Sequence, residues 1–514
     1  MILAFLKREL LGHASPAPRE EPSEEWQKRN TCLFGAERIP TRLIEYDTVL
    51  SGGKGTGKTT ALTALMRSLI DSRIASGRPF SVHAYSPKPE DLYPWLKETY
   101  EPLGYEVRTT NPFMQNSWAW DGAMNLTSGP SINEAVAALI KDDGHEKDPF
   151  FKNCSRLAIR GVIQSLAATH PGIWTWRYLA HLMRDSRLFV QVLSRCKETR
   201  HILKLFSEKQ EVTSANIEST LASELQNFEL IAALIDETPD DRRFSIVDAA
   251  NTPGIIWVWG SDPRYQTCME PWNGLQWELM GHELLIRGRN SIDTLLFIDE
   301  FPQLNGGQKL TIMKRLLEYG RDSNVRTTLA IQTPAQLEGT YGKAEADIIL
   351  GQTHNVMVFK HSDNIGCEYW SKRLGNIRGF EEKRSVADQL GGSTTGGAQP
   401  NSTYSWSHQV TVNREWFDRA RVSPSNVGDL IVGSYELGIY GYACVPMSKR
   451  MSAETGVPEP IKWLFSMSPE WIRQNVPKRG SCEPYNKSLK PEGSYTLKPF
   501  EDWEYDMLDL KRPT

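Results

Sequence analysis

The chain has 514 residues, of which 39% are hydrophobic and 24% charged, with a formal net charge of −4. That is the make-up of a globular protein with room for a large core and one or two accessory modules. A strongly basic domain would point to nucleic acid at once; this balance does not, and it does not exclude it, because a machine can confine its basic residues to a narrow channel. The seven cysteines are scattered without a C-x-x-C pair, which argues against a structural zinc site or a disulfide framework and for free thiols in a reducing cytoplasm.

The amino terminus, Met1-Ile-Leu-Ala-Phe-Leu6 followed by Lys-Arg-Glu-Leu-Leu11, is a short amphipathic segment. No stretch approaches the roughly 20 apolar residues that span a bilayer. Residues 13–30, with Pro16, Pro18 and Pro22, read as a flexible linker. Asp47–Leu50 predicts a buried strand, then a glycine-rich turn, then a helix over Thr60–Ile74. Strand, glycine loop and helix form the first unit of an α/β sheet. Ser81–Tyr85 and Tyr105–Arg108 predict further strands.

From Ser131 to about Glu237 the strand signals vanish. Helices are expected over Asn133–Ile140, Phe150–Ala168, Tyr178–Arg195 and Ser219–Ile235, an all-α insertion between strands of the parent sheet. The sheet resumes at Gly254–Trp259, Asp293–Ile298, Arg326–Ile331 and Asn355–Phe359, apolar runs suited to parallel strands covered on both faces. Residues 381–412 are polar and contain Gly391-Gly-Ser-Thr-Thr-Gly-Gly397, which predicts a mobile loop. Asp429–Val432 and Tyr440–Val445 suggest a final hairpin. Beyond Met451 the proline-rich polar composition reads as an extended tail.

The chemistry concentrates in two places. Gly52-Gly-Lys-Gly-Thr-Gly-Lys-Thr59 matches G-x-x-x-x-G-K-[ST] in full, with a strand before it and a helix after it. Glycines let the backbone turn its N–H groups onto phosphate, and the helix start adds its positive end. Gly52, Gly53, Lys54, Gly55, Thr56, Gly57, Lys58, Thr59 and Thr60 are therefore the candidate contacts to ATP. Within them Lys58 reaches for the β- and γ-phosphates and Thr59 for Mg²⁺. The second place is Leu295-Leu-Phe-Ile-Asp-Glu300, an apolar strand ending in two carboxylates. Asp299 is placed to hold the metal shell, and Glu300 to orient and deprotonate the attacking water. Gln332, at the end of another apolar strand, is a candidate sensor of the γ-phosphate. Arg321 is a candidate arginine finger for a neighbouring subunit, although by residue type alone it reads as a surface arginine.

Several further segments carry a family resemblance. These are Phe34-Gly-Ala-Glu-Arg-Ile39, Asn111-Pro-Phe113, Phe150-Phe-Lys-Asn-Cys-Ser-Arg156 and Phe297-Ile-Asp-Glu-Phe301. Others are Gly320-Arg321, Ala330-Ile-Gln-Thr-Pro-Ala-Gln-Leu337, Tyr341-Gly342 and Ile348-Ile-Leu-Gly351. From about Gly35 to Val445 the chain resembles the conjugative coupling proteins of type IV secretion systems, the TraG and TraD type of DNA-pumping ATPase. The resemblance implies a RecA-like P-loop NTPase core with a mainly parallel sheet, an inserted all-α domain and irregular termini. The division it suggests is 1–34, 35–130, 131–244, 245–450 and 451–514.

It further implies ATP and Mg²⁺, a homo-hexameric ring, and DNA held without sequence preference in a central channel. Relaxase or secretion-channel proteins would be partners, and Arg321 falls where the family carries its finger. Two departures stand out. The family's amino-terminal transmembrane helices have no counterpart here, which implies a separate membrane partner or a peripheral place at the inner face of the plasma membrane. The family's Asp-Pro-Lys motif reads Ser86-Pro-Lys88. Other readings of the same residues are a cytoplasmic DNA-pumping or DNA-processing ATPase outside conjugation, and an ATP-gated adaptor whose acidic, Trp-bearing tail selects cargo.

Overall fold

The computed structural model describes residues 23–512 apart from 45, 89–91, 141–149, 207–210, 261–263, 289–291, 393–403, 433–436, 447–459 and 478–488. The amphipathic amino-terminal segment thus lies outside the described residues. The last part of the expected linker is helical instead: α1 spans Glu24–Asn30. Its signal is local, since the Ser23 hydroxyl accepts from Trp26 N while acids fill the first turn and bases the last.

A hairpin of β1 (Thr31–Phe34) and β2 (Glu37–Pro40) follows. Then come β3 (Thr48–Ser51), α2 (Lys58–Ser76), β4 (Phe80–Ser86) and β5 (Glu106–Thr109). A short parallel pair, β6 (Ala119–Trp120) with β7 (Arg243–Phe244), closes the base of a helical excursion. That excursion contains α3 (Gly129–Leu139), α4 (Phe150–Thr169), α5 (Trp176–Arg184), α6 (Ser186–Arg195) and α7 (Glu211–Asp236). The helix expected over Tyr178–Arg195 is two helices. Asp185 adopts an extended conformation and its carboxylate accepts from Arg187 N, so it caps a new start.

After β7 come β8 (Ile255–Gly260), α8 (Gln266–Ile286), β9 (Asp293–Ile298), α9 (Thr311–Tyr319), β10 (Val325–Ile331), α10 (Pro334–Tyr341), β11 (Asn355–Val358) and α11 (Asn364–Leu374). One nine-stranded sheet, including β14 (Ile439–Val445) and β15 (Ile461–Met467), runs in the order β15-β14-β11-β3-β10-β9-β4-β8-β5, parallel except where β14 and β15 join it. Every residue of β4 and β8 is buried, as both-faces-covered strands require. Alternation then divides each strand between two cores. Leu295 and Phe297 enter the core that packs α2, whereas Leu296 and Ile298 enter the core continuous with the inserted helices. Each such side chain contributes about 1.5–3 kcal/mol by leaving water.

Tryptophans fasten the insertion to the sheet. Trp120, Trp174, Trp176 and Trp272 pack with ring centroids 4.8–5.4 Å apart, and Trp176 Nε1 donates to Trp120 O at 2.9 Å. The indoles thus serve as interface anchors, and Trp120 Nε1 donates to Asn125 Oδ1 at 2.9 Å.

Three carboxy-terminal expectations fail. The expected loop 381–412 falls within a long antiparallel hairpin, β12 (Asn376–Gly392) with β13 (Tyr404–Arg421). Its polar composition conceals the strands, and the residues between them lie outside the described set. Asp429–Val432 forms no strand. A helix over Pro424–Gly428 ends there, and Ile431 and Val432 are exposed. The hairpin is instead β14 (Ile439–Val445) with β15 (Ile461–Met467), built into the main sheet. The expected tail therefore supplies the edge strand, with Trp463 and Phe465 buried. It then crosses to the helical insertion: Lys490 N donates to Phe113 O and Lys490 Nζ to Leu234 O. A last helix, α12 (Asp502–Met507), buries Glu504 against Arg177, which also pairs with Asp236. No helix among the described residues is long and apolar enough to cross a membrane.

Candidate active site

The loop Gly52–Thr59 hangs between the carboxyl end of β3 and the first turn of α2. Two of its glycines have no substitute. Gly57 sits at φ +98°, and a Cβ there would lie 2.6 Å from Ile439; one on Gly52 would lie 2.6 Å from the Phe359 Cβ. The loop therefore rests directly on β14 and β11. Gly53 N also donates to Lys360 O at 2.8 Å, and Gly52 N to Ile331 O at 3.3 Å.

Lys58 is buried, its Nζ 2.7 Å from Gly52 O and 3.1 Å from Gly53 O. The ammonium is 4.0 Å from the Glu300 carboxylate. Burial lowers its pKa, opposed by the charges of Glu300 and Asp299. Thr59 donates its hydroxyl to Asp299 Oδ2 at 3.1 Å. Asp299 is 6% exposed, and burial followed by the neighbouring Glu300 charge pushes its pKa up to about 6. Glu300 stands in the left-handed region at φ +51°, a strained conformation for a non-glycine residue that turns its side chain toward Lys58. Gln332 Nε2 holds the Glu300 Oε2 at 3.1 Å.

Lys58, Thr59, Asp299, Glu300 and Gln332 therefore converge from the carboxyl ends of three adjacent parallel strands, β3, β9 and β10. Lys54 and Gly55 are exposed on the loop, Thr56 braces it by donating to Gly53 O, and Thr60 is buried in the first turn of α2. Arg321 is not part of this group. It is exposed, just before the amino end of β10, with its guanidinium 4.7 Å from the Tyr46 ring. A strand of seven residues spans about 20 Å, so Arg321 lies at the far end of the sheet from its own phosphate loop.

At the family's Asp-Pro-Lys position, the Ser86 hydroxyl accepts from Lys88 N at 3.1 Å. The turn that an aspartate would brace is kept, without its charge. Two supports of the site carry no sequence motif: Ile439 under Gly57, and Phe359 and Lys360 under Gly52 and Gly53. Only the fold brings them there. The donor set of turned backbone amides, an ammonium, a hydroxyl and two carboxylates fits a magnesium–nucleoside triphosphate.

A parallel sheet with this loop at its strand ends defines a P-loop nucleotide-binding protein of the RecA-like type, with an all-α insertion. The family model described as the type IV secretion-system coupling protein DNA-binding domain matches residues 105–413, and the chain belongs to that family. Solved structures with the same fold include the conjugative coupling protein TrwB in an unbound form lacking its first 70 residues. That structure is 17% identical, with a TM-score of 0.56, covering 86% of this chain and 91% of that one. TrwB with a non-hydrolysable ATP analogue is 16% identical, TM-score 0.57, covering 88% and 95%. TrwB with ADP and Mg²⁺ is 17% identical, TM-score 0.58, covering 86% and 91%. A search of curated proteins gives no match.

Proposed function

We propose that this chain is an ATP-hydrolysing motor that translocates DNA as the coupling protein of a conjugative or type IV secretion channel. The observation that carries the reading is the convergence of Lys58, Thr59, Asp299, Glu300 and Gln332 in a chain of the coupling-protein family. In this reading the amides of Lys54–Thr59 and the Lys58 ammonium cradle the phosphates of ATP. Thr59 and Asp299 hold Mg²⁺, which when bound offsets phosphate charge and orients the γ-phosphate. Glu300 orients a water and takes its proton, while Gln332 fixes the rotamer of Glu300 and reports the γ-phosphate.

Arg321 acts in trans. The position of Arg321 at the opposite end of β10 supports this, because a residue there meets a phosphate loop only across a subunit boundary. That geometry suits a homo-hexameric ring with DNA in its channel, gripped through backbone charge. TrwB binds nucleotide analogues and ADP with Mg²⁺ by the titles of its structures, which supports the choice of ATP and Mg²⁺. The chain would work at the inner face of the membrane beside relaxase or channel proteins and a separate membrane partner.

The test is ATP turnover with and without single- and double-stranded DNA, in wild type and Glu300→Gln. DNA should stimulate the wild type. The variant should bind ATP yet turn over at least about 10²-fold slower. DNA-independent turnover, or an active Glu300→Gln, refutes the assignment.

A further inference from the structure

Behind the phosphate loop lies a chain of polar groups, buried at Ser51 and His361 and partly exposed at Asp363 and Thr333, that the proposed chemistry does not use. Ser51, the last residue of β3, is fully buried, as is His361 two residues past Phe359. The Ser51 hydroxyl accepts from Trp370 Nε1 at 2.9 Å and meets His361 Nε2 at 3.2 Å. The other ring nitrogen, Nδ1, lies 3.4 Å from Asp363 Oδ2. The second oxygen of Asp363 accepts from the Thr333 hydroxyl at 3.0 Å and from Gly366 N at 2.5 Å. Thr333 follows Gln332 directly.

Chemistry fixes the direction of this chain. Burial pushes the Asp363 carboxyl up, but the bonds from Gly366 N–H, Thr333 and His361 outweigh it and hold the group below the usual carboxylate range. An ionised carboxylate only accepts, so His361 Nδ1 carries the proton. Burial keeps the imidazole neutral against the pull of Asp363, so Nε2 is an acceptor and Ser51 donates to it. The order is Trp370 to Ser51 to His361 to Asp363, with Thr333 donating from the other side. Room for it is reserved: a Cβ on Gly366 would stand 2.5 Å from His361 Nδ1 and 2.8 Å from Asp363 Oδ2.

Serine, histidine and aspartate in sequence suggest a nucleophile, but the geometry excludes one. Ser51 has no exposed surface for a substrate to reach, and one of its lone pairs is held by the Trp370 N–H. What the chain joins is the root of the phosphate loop on β3 and the end of β10 beside Gln332.

We propose that His361 and Asp363 are positioning residues of the nucleotide site, tying Ser51 at the root of the phosphate loop to Thr333 so that the loop and Gln332 hold one register. The proposal rests on the nucleotide reading above. It extends that reading to residues that touch neither phosphate nor metal. The relay also reaches α11, which Asp363 caps, and α11 leads within two residues into the β12–β13 hairpin. The two residues therefore link the phosphate loop, through α11, to the start of the β12–β13 hairpin.

The test is a double-mutant cycle on the full chain, read as affinity for a fluorescent ATP analogue with Mg²⁺. His361→Phe and Thr333→Val should each weaken binding about five-fold, within the range for members of one hydrogen-bond network. The double variant should bind no worse than His361→Phe alone, because either change opens the same link. Thr333→Ser keeps the hydroxyl and should restore wild-type affinity at an unchanged melting temperature. Should His361→Phe fail to fold, Ser51→Ala takes its place in the cycle. Single effects that multiply in the double variant, or no effect of either, overturn the relay while leaving the nucleotide site standing. Wild-type protein that binds no nucleotide overturns the site reading itself.

Discussion

Replacing Asp299 with asparagine should make the protein more stable and less active. The carboxyl is buried at the tip of β9, and its pKa in the folded chain is raised from 3.8 to about 6. A raised pKa means the folded chain binds a proton that the unfolded chain has already lost. Ionised Asp299 therefore costs folding free energy. The cost is absent below about pH 4, grows between about pH 4 and 6, and is complete above that. A displacement of about two units corresponds to roughly 3 kcal/mol at pH 8.

Asparagine keeps an oxygen to accept the Thr59 hydroxyl and loses the charge. The melting temperature should rise by a few degrees at pH 8, with no gain at pH 4, while Mg²⁺-dependent ATP turnover falls by about 10²-fold or more. Thermal melts at the two pH values, paired with turnover at pH 8, make the comparison. A lower melting temperature at pH 8 would refute the reasoning, because it would mean that attraction to Lys58 exceeds the cost of burying the carboxylate. The expected outcome is a site held at the expense of stability, as functional carboxylates often are.

Two further outcomes follow from charges that the fold isolates. Arg321→Ala should cut turnover about 10³-fold without changing nucleotide affinity. Mixing it with inactive Glu300→Gln should recover activity, since each Glu300→Gln subunit offers an intact arginine to a neighbour with an intact base; no recovery would remove Arg321 from the interface. Glu504→Ala leaves the buried Arg177 one carboxylate, Asp236, beside the Lys498 and Pro499 carbonyls, and should cost about 3 kcal/mol. Limited proteolysis should then cut between residues 489 and 512 first, and unchanged resistance would show that other contacts dock the segment.

The catalytic strands were legible because their signals are local. Leu295–Ile298 is uniformly apolar and ends in Asp299-Glu300, and the phosphate loop carries its whole geometry in eight residues. Parallel strands buried on both faces read as apolar runs, so seven strands of the main sheet fell near their observed ranges. Helix breaks were less legible. At Asp185 the apolar period continues through the cap, and only the carboxylate bonding to Arg187 N marks the new start.

The carboxy-terminal third was misread for a related reason. Strand β15 alternates buried Trp463, Phe465 and Met467 with exposed Leu464, and no composition window distinguishes that from a polar tail. Its status depends on β14, and that of β14 on β11, so the edge exists only once the sheet does. The same dependence places Ile439 under Gly57. The strand that follows the misread loops is the floor of the phosphate loop, and a change in this carboxy-terminal hairpin reaches the nucleotide site through Ile439 under Gly57 and through Phe465, whose ring lies 5.7 Å from that of Phe359 under Gly52. Ile439→Ala, which leaves the loop glycine unsupported, should therefore weaken nucleotide binding more than any exposed substitution in the loop itself, Lys54→Ala included. Equal affinities for these two variants would show that β14 only closes the sheet.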